Sequence, residues 1–289
     1  DFYIKPGPAG KAASIDYYPK TSFIKLKNES ITVQDSVQKR LKIDRDWVLN
    51  KNNFNAYGEI IDTSDVDTLY RNIYDPSTFT GVVFKESLEK YGARVKTISK
   101  KKTSNKSYKK ISNHLSKPLI HSATNLMNES DNLTAELFVK SIGALDTLPG
   151  TWRVGLDSIK SFLAKEVLID TSNIRLADAS GVSRYNLTSA AQLNSLLKWM
   201  YNSEYKDDFI STLPGGGWEN STLEKRLIDE GDLVRAKTGG LSGVRNLAGY
   251  IKSKKYGDVA FSILMNGYTD YSSRYARVHD QIVKSIIYD

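Results

Sequence analysis

Short alternating runs of apolar and polar residues fill the first part of the chain, and long helical periods fill the rest. From Ser22 onward, Phe23-Ile24, Ile31-Thr32-Val33 and Trp47-Val48-Leu49 are brief apolar clusters among polar residues, and Asn55-Ala56-Tyr57-Gly58-Glu59-Ile60-Ile61 is another. Such alternation predicts β-strands, in which successive side chains point to opposite faces. Residues 1–20 hold Gly, Pro and Ala with little periodicity and read as a connecting segment. Asp75-Pro76-Ser77-Thr78-Phe79 opens a helix, Val82, Val83, Leu88 and Tyr91 follow near helical spacing, and Gly92 closes it. The change of pattern after the next, Lys-rich run puts a domain boundary near residue 112. This gives a β-rich part over 1–112 and a second part over 113–289.

In the second part, Leu119 to Met127, Leu133 to Ile142 and Val154 to Leu163 have helical periods, the second expected to stop at Gly143. Thr188-Ser189-Ala190-Ala191-Gln192 resembles a helix cap leading to Met200. Leu213-Pro214-Gly215-Gly216-Gly217 must be a loop. Three strand-like runs follow, Asp232 to Thr238, Arg245 to Lys252 and Asp258 to Asn266, with Gly-containing turns that favour antiparallel pairing. Ser272 to Tyr288 closes the chain as a helix, with Tyr275, Val278, Ile282 and Ile286 in register. Helices, a β-meander and a last helix predict a layered α/β domain, an antiparallel sheet flanked by helices.

Composition narrows the chemistry. The 289 residues are 40% apolar and 26% charged, ordinary for a globular protein. The first residues lack a basic region and an apolar core, so no signal peptide is predicted: either the chain is processed or its start lies upstream. The absence of Cys excludes disulfides, thiolate metal sites and a Cys nucleophile. His114, His121 and His279 are scattered without ligand spacing, so a His-based metal site is not expected. The net charge of +8 owes much to Ser99–Lys110, which holds six Lys. This run reads as a solvated linker. It has no Arg/aromatic interleaving, and nucleic acid is not an expected partner.

Two triplets carry the candidate chemistry: Ser130-Asp131-Asn132 and, 107 positions later, Lys237-Thr238-Gly239. S-D-N and K-T-G are two of the three elements of a penicillin-recognising active-serine site. Each alone also arises as a helix cap or a strand end. Context raises both, because S-D-N sits between two helical stretches and K-T-G closes the first of three strands. Acyl transfer needs a nucleophile, a base, a proton relay and an oxyanion hole. The Ser130 hydroxyl is donor and acceptor at once and suits a relay. Asn132 can bind a substrate carbonyl, Lys237 supplies positive charge, and Thr238 offers a hydroxyl to a carboxylate. Gly239 and Gly240 let a ligand approach the backbone, and a free N–H there suits an oxyanion.

With these motifs the chain resembles the C-terminal part of the class C low-molecular-mass penicillin-binding proteins, the D-alanyl-D-alanine carboxypeptidase/endopeptidases of peptidase family S13. Asp178-Ala179-Ser180-Gly181-Val182-Ser183-Arg184-Tyr185-Asn186 is similar to the family's D-G-S-G-L-S-R-x-N segment. Leu213-Pro214 with Gly215 to Gly217, then Thr222-Leu223 and Arg226, and Asn246-Leu247-Ala248-Gly249-Tyr250 resemble further family stretches. Tyr17-Tyr18-Pro19 and residues 22–61 look like part of an inserted accessory domain.

The resemblance implies a penicillin-binding, β-lactamase-like transpeptidase fold, a periplasmic or cell-envelope location, and no metal or cofactor. It implies hydrolysis of the terminal D-Ala–D-Ala bond of peptidoglycan stem peptides, and of D-Ala–diaminopimelate cross-links, through an acyl-enzyme that β-lactams also form. Ser130, Asn132 and Lys237 would be catalytic. Thr238, Gly239, Gly240 and Asp131 would bind substrate, and Asp178, Ser180 and Arg184 would support the cleft. Ala179 and Gly240 stand where the family usually has Gly and a hydroxyl residue.

The nucleophile motif S-x-x-K has only three matches before the site, beginning at Ser22, Ser99 and Ser107. None lies where a helix start is predicted. The serine is therefore expected on a preceding segment, such as a companion N-terminal polypeptide. Another class of reading is a non-catalytic envelope protein that keeps the K-T-G strand to bind peptidoglycan peptides. A serine β-lactamase is disfavoured, since the class A deacylation Glu has no counterpart here.

Overall fold

The computed structural model describes residues 1–35, 37–101, 110–146 and 148–288, so most of the Lys-rich run, and the S-x-x-K match at Ser107, lie outside the described residues. The chain divides into two compact units, Asp1–Lys110 and Ile111–Asp289. No helix of the described residues is long and apolar enough to cross a membrane.

The first unit holds β1 (Phe2–Lys5), β2 (Ser14–Tyr17), β3 (Lys25–Val33), β4 (Lys42–Arg45), β5 (Asn53–Ile61), β6 (Asp67–Leu69) and α1 (Pro76–Lys90). One sheet runs β2-β1-β6 and the other β3-β5-β4, with β3 and β5 parallel. Residues 1–20 are thus not a connector. Phe2 and Ile4 are buried at alternate positions of β1 and join Phe54, Ala56 and Ile43 in one core. Two apolar residues in a four-residue strand are too few for the alternation to show in sequence. Trp47-Val48-Leu49 is not a strand either. It is an exposed turn, in which the Asn50 N–H donates to the Trp47 carbonyl. Asp75 caps α1 by accepting from the Thr78 N–H, and Gly92 follows with a φ of +85°.

The second unit holds α2 (Leu119–Glu129), α3 (Asn132–Asp146), α4 (Trp152–Lys165), α5 (Ala190–Tyr201), α6 (Lys206–Thr212), β7 (Val234–Leu241), β8 (Val244–Ser253), β9 (Gly257–Asn266) and α7 (Ser272–Tyr288). The antiparallel sheet is ordered β7-β8-β9. Its central strand is buried on both faces. Leu247 and Ile251 meet Val283 and Ile287 of α7, while Tyr250 and Ala248 meet Leu197 of α5, Phe209 of α6 and Met127 of α2. Ser189 and Gln192 close a reciprocal cap at the start of α5.

α3 does not stop at Gly143. A Cβ there would lie 2.7 Å from the Thr151 carbonyl oxygen, and one on Gly155 would lie 2.0 Å from the Val139 carbonyl oxygen. The glycines allow α3 and α4 to cross at backbone contact. Gly155→Ala gains about 1 kcal/mol of helix propensity. It also forces Cβ into rigid backbone, which costs more, on the order of 1–3 kcal/mol. Urea unfolding is expected to show net destabilisation for Gly155→Ala. A midpoint equal to or above wild type would contradict this account of the α3–α4 crossing.

Candidate active site

Ser130 ends α2 in the left-handed region, at φ +60°, with its N–H donating to the Leu126 carbonyl. A non-glycine residue there stores strain of about 1–2 kcal/mol. The conformation turns the chain abruptly from α2 into α3. Asp131 makes that turn possible. Its carboxylate accepts from the Leu133 N–H at 3.0 Å and the Thr134 hydroxyl at 2.5 Å, capping α3. Asp131 is thereby committed to a helix start rather than to the substrate contact expected of it. Asn132 begins α3, is exposed, and makes no side-chain hydrogen bond among the described residues. The Thr222 N–H donates to the Asn128 carbonyl at 3.0 Å and ties the end of α2 to the loop before β7.

The two triplets meet. Lys237 Nζ donates to Ser130 Oγ at 2.8 Å and to the Thr238 carbonyl oxygen at 2.8 Å. Burial pushes the Lys237 ammonium down to about 8. Because the ammonium donates into Ser130 Oγ, the serine's own hydrogen is left to point elsewhere.

β7 is the edge of its sheet. The Ala236 N–H donates to the Pro214 carbonyl, away from β8, so by the two-residue period the N–H groups of Thr238 and Gly240 also face the open edge. Side chains alternate across the strand. Lys237 and Gly239 face a cleft of about 1230 Å³ walled by Met127, Leu197, Phe209 and Leu213. Thr238 and Gly240 face the side of the sheet that carries α7.

The 178–186 loop borders this cleft. The Asp178 carboxylate accepts from the N–H groups of Gly181 and Ser183 and from Asn186 Nδ2. Ala179 and Ser180 donate their N–H groups to Glu136 Oε1 of α3, at 3.2 and 2.9 Å. Arg184 Nη2 donates to the Ser242 carbonyl in the β7–β8 turn at 2.7 Å. Glu136 was not singled out in sequence, although it lies four residues beyond Asn132. Four residues is a helical turn, which keeps the two on one side of α3.

Ser22, the first S-x-x-K match, is occupied within the first unit, with its N–H and Oγ both donating to Glu86 Oε1. Among the described residues there is no cluster of His, Asp and Glu able to hold a metal ion.

The family model for the D-Ala-D-Ala carboxypeptidase 3 (S13) family matches residues 3–285. The chain belongs to this family. The resemblance drawn from the motifs is thus borne out. A D-alanyl-D-alanine carboxypeptidase from an Actinomadura species is 30% identical over 276 residues, covering 92% of this chain and 50% of that protein. The D-alanyl-D-alanine carboxypeptidase DacB of Haemophilus influenzae is 33% identical over 163 residues, covering 55% of this chain and 34% of that one. The S13 chain spans half or less of the length of these curated relatives.

A crystal structure of penicillin-binding protein 4 (dacB) from Haemophilus influenzae matches with a TM-score of 0.77 at 23% identity, covering 100% of this chain and 66% of that one. A second, in complex with a β-lactam, gives 0.76 at 22% identity, covering 100% and 69%. The fold of this S13 member is therefore the penicillin-binding, β-lactamase-like one, with an antiparallel sheet flanked by helices and a β-rich accessory portion.

Proposed function

We propose that the protein containing this chain is a serine D-Ala-D-Ala carboxypeptidase/endopeptidase that acts on peptidoglycan stem peptides through an acyl-enzyme and is acylated by β-lactams. The observation that carries this reading is the 2.8 Å contact from Lys237 Nζ to Ser130 Oγ, which joins triplets 107 residues apart. Ser130, its hydrogen free to donate, would pass a proton to the leaving amine. Asn132 would bind the peptide carbonyl. Lys237 and Thr238 would draw the terminal carboxylate to the edge of β7. Gly239 leaves the backbone open to the substrate, and the outward N–H of Gly240 would bind the oxyanion. A peptide could pair with that edge as an added strand. Asp178, Ser180 and Arg184 would hold the cleft wall through their backbone and guanidinium contacts.

We assign residues 1–112 to an inserted accessory portion and 113–289 to the catalytic domain. The nucleophilic serine would come from a segment outside these residues. An α-helix about 10 Å across occupies roughly 400 Å³ per turn, so the apolar-walled cleft beside Lys237 has room for a short serine-bearing helix. Relatives about twice as long favour a longer single chain over a companion polypeptide. A cell-envelope, periplasmic location follows from the substrate.

The test is D-alanine release by the full-length protein from a stem peptide ending in D-Ala-D-Ala. Release that penicillin blocks supports the proposal. Binding of the peptide without release would overturn it in favour of a non-catalytic peptidoglycan binder.

A further inference from the structure

We propose that Arg245 recognises the terminal carboxylate of the substrate, reaching over Gly240 from the neighbouring strand. The inference rests on the reading of the site given above and assigns it a specificity-determining residue.

Gly240 and Arg245 are direct cross-strand partners. The outward-facing N–H groups of Ala236, Thr238 and Gly240 make this a non-hydrogen-bonded pair, the type in which facing residues approach most closely, about 4.5 Å between Cα atoms. The Arg245 side chain uses that proximity. Its Nη1 lies 3.1 Å from the point a Cβ on Gly240 would occupy. The guanidinium has therefore crossed one strand spacing and lies over the edge strand, where any side chain at 240 would crowd it. Thr238, two residues earlier, presents its side chain on the same face. A carboxylate at the edge of β7 can thus meet the Thr238 hydroxyl and a planar guanidinium fork together, the geometry that suits arginine to carboxylates.

The guanidinium is otherwise uncommitted. Among the described residues it makes no hydrogen bond or ion pair, and its Nε is buried without a partner. The nearby carboxylates are taken: Asp280 is paired with Arg226 and Asp270 with Arg274. A part-buried guanidinium without a partner is costly to the fold, and an anion from outside is the complement it lacks. Beside it opens a space of about 430 Å³ lined by Gly240, Ser242, Arg245 and Tyr268, among others. Lys237 approaches from the opposite face and spends two of its donors on Ser130 and the Thr238 carbonyl. Lys237 thus acts from one face of β7, where it also holds the Ser130 relay, and Arg245 adds a second cation for the carboxylate on the other.

The test is calorimetric titration of the full-length protein with a peptide ending in D-Ala-D-Ala and with its C-terminal amide. Wild type is expected to prefer the acid. Arg245→Gln is expected to weaken acid binding roughly 10–100-fold and to leave amide binding unchanged, with Arg245→Lys recovering part of the loss. Gly240→Ala keeps the charge but displaces the guanidinium, and is expected to lower the acid-to-amide binding ratio severalfold. It guards against a folding defect in the Arg245 variants. An unchanged acid-to-amide ratio in Arg245→Gln and Gly240→Ala would overturn the inference while leaving the functional reading intact. Failure of wild type to bind either peptide would overturn both.

Discussion

Replacing Lys237 with glutamine is expected to slow β-lactam acylation of the full-length protein roughly 10²–10³-fold, the loss typical of removing one donor aimed at transition-state charge. The half-buried ammonium orients Ser130 through a 2.8 Å hydrogen bond and, in the function proposed, would supply a cation beside the substrate. Glutamine can donate one hydrogen bond but carries no charge. The same residue sets a pH limb. Burial brings its pKa down to about 8, so it is fully charged well below that pH and neutral above it. The wild-type rate should fall as pH rises through about 8, and the limb should vanish in Lys237→Gln. Stability should move the other way. A lysine whose pKa is lower folded than unfolded holds a charge that burial penalises below about 8, so the variant should melt at or above the wild-type temperature near neutrality. Loss of rate with a matching loss of stability would point to a merely structural lysine.

Arg226→Ala is expected to destabilise the second unit by about 3–5 kcal/mol, the usual cost of stranding one partner of a buried ion pair. Arg226 donates to Asp280 through Nε and Nη2, with the shortest contact at 2.7 Å, and to the Ala276 carbonyl at 3.2 Å. The two side chains are 12% and 19% exposed, so solvent screens them little. Together they fasten the loop before β7 to α7. His279 beside them is fully buried. Burial and the neighbouring Arg226 and Arg245 hold its pKa down at about 4, so at neutral pH it adds no charge to compensate. Replacing both partners with apolar residues, as in Arg226→Met with Asp280→Leu, should cost much less than Arg226→Ala alone. Urea unfolding of the two variants checks this. Equal losses in single and double variants would contradict the ion-pair account.

The parts legible in sequence were those with local signals. α7 shows as a helix in its apolar spacing, although its buried face is Ala276, His279, Val283 and Ile287 and leaves Val278 and Ile282 exposed, and β7 to β9 show as long apolar runs cut by glycine turns. S-D-N and K-T-G were legible by identity and context, although only the fold brings Ser130 to Lys237. The strands β1 and β2 were missed because each is four residues long, and Trp47-Val48-Leu49 misled because an apolar cluster can sit on an exposed turn. Gly143 reads in sequence as a stop, but its reason is tertiary: α4 lies against it. Glu136 and Arg245 escaped notice because their roles depend on what the chain brings to them. Arg245 was nonetheless countable, since a two-residue turn at Ser242-Gly243 places it opposite Gly240.

The most direct measurement is reaction of the full-length protein with a fluorescent penicillin, followed by denaturing gel and peptide-mass mapping of the adduct. The account predicts one acylated serine outside residues 1–289, with labelling strongly slowed in Lys237→Gln. An adduct on Ser22, Ser99, Ser107 or Ser130, or labelling indifferent to Lys237, would contradict it.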